Sequence, residues 1–316
     1  MKRIVLKTSY NVLLWHFVDS LSLWDYFVSD EIKAFYQTRW TLTPTDKKQL
    51  EKYVTTRSPE GWDAETALFE WAYQEFPEHE QFSKMLPYIR YFEDRTDNKG
   101  TTLKSYLQEV YSDVRKGRDH IENRMKKEKI DDVVEKLQEL FKVKNKAIEA
   151  IDAYLASSPL EKSHQGGANG KGIYTEIPLG GYDLAYETLV HEYLHRVITP
   201  QNFFMNMENG ELRKLYARQI DSLYPDPVGL LADEVVIHAI ANIYLFKEDP
   251  LRRIKGVKKQ IKEGRLRTPS DLHLWNLVIL SAPVLKDYLE GRSDPQETQT
   301  KIGEVLQAYI DQNASR

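Results

Sequence analysis

A chain of 316 residues is long enough for one large domain or two ordinary ones, and it can bury a sizeable core without covalent staples. Its 44 basic and 48 acidic side chains nearly balance, which disfavours a nucleic-acid binder driven by a basic surface. Cysteine is absent, so disulfide scaffolds, thiolate metal sites and cysteine nucleophiles are excluded together. Any metal must therefore be held by nitrogen and oxygen.

The opening MKRIVLKTSY carries the positive residues of a signal peptide, but Lys7 interrupts the apolar stretch and His16 and Asp19 come soon after. It reads as mature protein, and a cytoplasmic location is the expectation. The longest apolar stretch elsewhere, Val235 to Phe246, is about half a membrane span and contains His238 and Asn242, so no membrane span is expected.

Ile4 to Lys7 suits a short strand, and from Asn11 the residues Leu14, Phe17, Val18, Leu21, Trp24 and Phe27 recur at helical spacing. Thr43, Pro44 and Asp46 supply an N-cap, a proline at N1 and an acidic N3 for a helix through Tyr53. A further helix is expected from about Trp62 to Glu75. Pro77 and Pro87 punctuate the next segment, and Asp94 to Gly100 marks a turn.

From Leu103 to Leu155 both charges are heavily mixed, while Ile130, Val133, Val134, Leu137, Leu140, Phe141, Ile148 and Ile151 keep a 3.6-residue stripe. The near balance of signs favours amphipathic helices with a solvated face over an anion-binding or partner-binding surface. The clusters WHFVDSLSLWDYF, FEWAYQEF and PYIRYF read as helical core.

Serine, proline and glycine concentrate between Ser157 and Gly172. A lobe boundary is expected there, with a mostly helical N-terminal lobe over 1–160 and a catalytic lobe over 161–316. Ile173 to Ile177 reads as a strand closed by Pro178 and the Gly180-Gly181 turn. Helices are expected from Asp183 onward and then at about 208–223, 227–246, 251–263, 269–289 and 295–311.

Within the helix after Gly181 stands HEYLH, residues His191 to His195, an HExxH pattern. Positions i and i+4 lie one turn apart on one helix face, so both imidazoles can reach one cation while Glu192 sits about 100° around the axis. Two histidines do not complete a zinc site, which normally takes three protein ligands and a water. A pattern with the third ligand six residues after the second histidine would use position 201, but that residue is Gln201, and Ile198 replaces the glycine of the required turn.

The best third ligand is Glu234. Asp226 and Pro227 start a helix that is apolar almost all round, and a carboxylate buried there is costly unless paired, a divalent cation being the strongest partner. His238 follows one turn later on the same face, as support for the ligand or as a hydrogen-bonded core histidine. Asp233, Glu208, Glu211 and His238 are the alternative ligands.

At these residues the chain resembles the gluzincin metalloproteases, whose zinc is held by the two histidines of HExxH and a downstream glutamate. The resemblance spans about 60 residues, from the strand at Ile173 to the helix through Phe246, and lies nearest to poorly characterised bacterial gluzincin-like families. It departs where that family's pattern has asparagine before the third ligand and aspartate four after it; here these are Asp233 and His238.

The resemblance implies an α+β fold, predominantly α-helical, with a zincin-like core comprising a small β-sheet and an active-site helix, plus the helical N-terminal lobe. It implies a Zn2+-dependent peptidase acting on a peptide or protein substrate, with His191, His195 and Glu234 on the metal and Glu192 as general base. Tyr224, Tyr244 and His273 are candidates to stabilise an oxyanion. The strand at 172–177 could pair with an extended peptide as the edge strand of zincins does. The alternative function is a helical peptide- or protein-binding module that keeps zinc without turnover.

Overall fold

The computed structural model describes residues 4–22, 30–56, 80–141, 151–161, 166–168, 172–198, 231–263 and 270–313. The described residues are mostly helical with a small sheet, an α+β architecture. It divides into two compact units, Met1–Lys127 with Glu149–Glu192, and Glu128–Ile148 with Tyr193–Arg316. Among the described residues no helix is long and apolar enough to cross a membrane.

The first unit holds strands β1 (Ile4–Lys7), β2 (Ile151–Ser158), β3 (Gly166–Ala168) and β4 (Gly172–Pro178), in the order β1-β2-β4-β3. β1, β2 and β4 run parallel, and β3 is antiparallel to β4. Strands from either side of residue 160 therefore pair with each other. The helical reading of the stretch as far as Leu155, with Ile151 on its stripe, is corrected here, because IDAYLASS is β2. With neighbours on both sides it is buried along nearly its whole length, and such an unbroken apolar run has no period that separates strand from helix.

Helix α1 (Tyr10–Leu21) begins at Ser9, whose Oγ accepts from the Val12 amide at 3.2 Å. Every residue from Asn11 to Leu21 is buried. Its aromatic face meets helix α2 (Asp30–Arg39) and Trp40, with Phe17 edge-on to Tyr36 at 4.9 Å and to Trp40 at 5.0 Å. Its polar residues are buried too. His16 Nε2 lies 2.7 Å from Glu176 Oε1 on β4, and the Tyr174 ring stacks against His16.

Helix α3 (Pro44–Thr56) starts where the sequence places it. Asp46 Oδ2 accepts from the Thr43 amide at 2.7 Å, and Thr43 Oγ1 accepts from the Asp46 amide at 3.2 Å, a reciprocal cap. Tyr91 and Arg95 also donate to Asp46, at 2.9 and 2.8 Å. Burial works to raise the Asp46 pKa, but these donors outweigh it and hold the carboxyl below its ordinary range. A depressed folded pKa contributes stability above the unfolded value of about 4, which is lost as pH falls through the folded value. Urea midpoints should thus drop on acidification below about pH 4 more steeply for wild type than for Asp46→Asn; parallel curves would assign the acid sensitivity elsewhere.

Pro87, expected to punctuate, lies inside helix α4 (Glu80–Arg90), where Tyr91 still donates to its carbonyl at 3.1 Å. The charged stretch forms α5 (Leu103–Glu128) and, in the second unit, α6 (Ile130–Leu140). Gly117 of α5 faces Ile177 of β4 so closely that a Cβ would stand 2.8 Å from its Cδ1. Helix α7 (Tyr182–Ile198) follows β4 through Gly180, whose φ of 68° suits glycine.

The second unit also contains α8 (Leu231–His238), a π-helix (Ala239–Leu245), α9 (Pro250–Lys262), α10 (Ser270–Leu289) and α11 (Pro295–Asn313). Helix α10 packs against α8, the π-helix, α9 and α11. Asp249 and Asp294 cap α9 and α11 one residue before a proline, at 3.0 and 2.8 Å. The helix expected through Phe246 changes to π after His238, and the Phe246 amide reaches back five residues to the Ala241 carbonyl at 2.9 Å. The helices expected at 62–75 and 208–223 lie outside the described residues.

Candidate metal centre

Helix α7 separates its faces sharply. Tyr186, Leu189, Val190, Tyr193 and Leu194 are fully buried, whereas His191, Glu192 and His195 are only partly so. Burial of the apolar side fixes the helix, and 3.6-residue periodicity then puts the three polar residues on the remaining face. Helix α8 is anchored likewise by Val235, Val236 and Ile237, all buried, with Glu234 and His238 partly exposed.

The two helices bring Glu234 to the histidines. Glu234 Oε1 lies 3.3 Å from His195 Nε2. One ligand atom each from His191, His195 and Glu234 falls within 4.8 Å of the others, so this group can hold a metal ion. Among the described residues it is the one such group of three or more. Two donors each about 2.0–2.1 Å from a tetrahedral zinc stand about 3.3–3.4 Å apart, which is the His195–Glu234 separation. Two imidazoles and a carboxylate form a nitrogen-and-oxygen donor set of the kind that divalent cations take.

This chain matches no known family model, no curated protein and no solved structure. The chemistry of the site therefore rests on its own residues.

His238 sits beside the carboxylate, with Nε2 3.4 Å from Glu234 Oε2 and Nδ1 2.8 Å from Asn242 Oδ1. Its ring packs on Trp275 of α10 with centroids 5.0 Å apart. Burial pushes the His238 imidazole below its ordinary pKa, against the opposite pull of Glu234 and Asn242. Asn242, Glu248 and Trp275 carry no signal in the sequence that marks them as site residues. The i, i+4 spacing of His238 and Asn242 is the only local hint, and it is a common one.

Of the other candidates, His273 is bonded through Nδ1 to the Tyr309 hydroxyl at 2.9 Å, and Tyr244 lies under the Lys247 ammonium, 4.6 Å from its ring centroid. Gln201, Glu208, Glu211, Tyr224 and the Asp233 side chain lie outside the described residues. The edge-strand expectation for 172–177 is corrected. β4 bonds to β2 along its length and to β3 over Ile173–Thr175, so β3 takes the edge position and covers half of β4.

Proposed function

We propose that the chain is a zinc-dependent peptidase of gluzincin type, with a zincin-like core formed by the parallel strands and helix α7. The observation that carries this reading is the approach of Glu234 to the two histidines of HEYLH, with Glu192 on the same helix face. His191, His195 and Glu234 would hold the metal. Bound there, zinc supplies Lewis acidity toward a water and toward the scissile carbonyl.

The residues of the chain do the rest. Glu192 is one position from His191, so its carboxylate is carried on the polar face of α7 and can take a proton from the attacking water. The same carboxyl group then hands that proton to the departing amine, which leaves as a neutral product. Partial exposure of His191, Glu192 and His195 leaves this face open to a peptide.

Zinc stoichiometry tests the metal assignment. Purified wild-type protein should carry about one zinc per chain, and His195→Ala should lose most of it, since one of three protein ligands is removed. Equal zinc in both proteins would place the metal elsewhere.

A further inference from the structure

Helix α9 concentrates charge of one sign. Its 13 residues, PLRRIKGVKKQIK, include six basic side chains and no acidic one, in a chain whose net charge is −4. Helix α5, by contrast, mixes both signs along its length. Ile254 and Val257 are buried and α9 packs against α10, so the helix is fixed with the rest of its surface in solvent. Leu251, Lys255, Lys258 and Lys262 follow at steps of four, three and four residues, which places them on one stripe about 16 Å long. Arg252 and Lys259 flank it, and all six are exposed. Arg253 is turned aside, with Glu248 accepting from its Nε at 3.0 Å and its Nη2 at 2.5 Å.

The stripe carries little compensation of its own. Lys259 Nζ lies 3.8 Å from Glu263, and among the described residues the side chains of Arg252, Lys255, Lys258 and Lys262 make no ion pair. Lys255 is three residues from Lys258 and four from Lys259, and Lys258 is four from Lys262, spacings at which like charges weaken a helix. Arg252 also stands in the first turn, where the helix macrodipole is positive. An external anionic surface would relieve each of these repulsions.

The residue types select among anions. Four of the five cations are lysines, compact charges on flexible stems that impose no planar, bidentate geometry. A helix presents a convex face, and α9 has no aromatic side chain on which a base could stack, so a nucleic-acid strand meets charge without a platform. Protein interfaces are depleted in lysine and enriched in aromatic anchors, the reverse of this face. Leu251, 59% exposed, stands in line with the lysines. There an apolar side chain can enter the acyl boundary of a bilayer while lysine stems reach the headgroups.

We propose that this face of α9 docks on the anionic surface of a lipid bilayer, through Arg252, Lys255, Lys258, Lys259 and Lys262, with Leu251 entering the headgroup boundary. Docking of this kind does not depend on the metal centre.

Sedimentation of the full chain with phosphatidylcholine vesicles, plain or containing about 30% phosphatidylserine, tests it. The chain should pellet with the anionic vesicles at about 0.1 M salt, stay in solution with the neutral ones, and be released at about 1 M salt, where the Debye length falls to about 3 Å. Each lysine near such a surface is worth about fivefold in partitioning, so Lys255→Gln/Lys258→Gln/Lys262→Gln should bind about a hundredfold more weakly. If that variant melts early, the three single variants decide, each about fivefold weaker. Lys47→Gln/Lys48→Gln/Lys52→Gln removes the same charge from α3 and should bind like wild type. Wild type that does not pellet with anionic vesicles, or an equal loss in the α3 variant, would overturn the proposal. Tighter binding to a single-stranded polynucleotide or to polyglutamate than to anionic vesicles would overturn it as well.

Discussion

Glu192→Gln is expected to keep its zinc and lose peptide cleavage by at least a hundredfold. The substitution is isosteric and removes one property, the ability of the carboxylate to take up and release a proton. Positioned general acid–base groups contribute about 10²–10⁴ in rate, and in the proposed mechanism one group serves both the attack and the departure of the amine. Glu192 is not among the three residues whose ligand atoms cluster, so the metal should stay at wild-type stoichiometry. The measurement pairs zinc content with cleavage of a broad peptide library. A variant that holds zinc and cleaves as fast as wild type would exclude Glu192 as the base. Saturable peptide binding by wild type without any cleavage would favour the binding-module function instead.

His16→Leu is expected to cost on the order of 3 kcal/mol of folding stability, the largest effect away from the metal centre. His16 and Glu176 are 2% and 0% exposed, and their 2.7 Å contact joins α1 to the strand that feeds helix α7. Leucine keeps the apolar volume but withdraws the imidazole, so Glu176 loses the 2.7 Å contact while the Tyr174 hydroxyl at 3.3 Å remains. Removing one member of a buried polar pair costs more than removing both, because the survivor keeps its desolvation penalty. His16→Leu/Glu176→Leu should therefore regain a substantial part of the loss in urea unfolding. If the double variant is as unstable as the sum of the singles, the two residues act independently.

The distribution of these features between sequence and structure follows from the range of the interactions involved. The two histidines that α7 contributes to the candidate site are legible because a single helix turn relates them, and HExxH states that turn in five residues. Helix starts at Pro44, Pro250 and Pro295 are equally local, since a cap and a proline suffice. Glu234 is legible for a different reason: a carboxylate in a largely apolar helix needs a partner, although the sequence does not state which partner, nor whether Asp233 or Glu234 takes it.

What the sequence determined by itself is the chemistry that was available: nitrogen and oxygen donors without thiolates, an HExxH turn, and helices of mixed charge around an aromatic core. Tertiary structure decided the partners. It made IDAYLASS a central strand by giving it β1 and β4 as neighbours, and paired His16 with Glu176 across 160 residues of chain. It also turned the helix after His238 into a π-helix, in which Asn242 Oδ1 lies 2.8 Å from His238 Nδ1. Periodicity reports which face of a segment is buried, because burial repeats with the backbone. It carries no information on what that face meets, because a polar contact between distant residues leaves no local repeat.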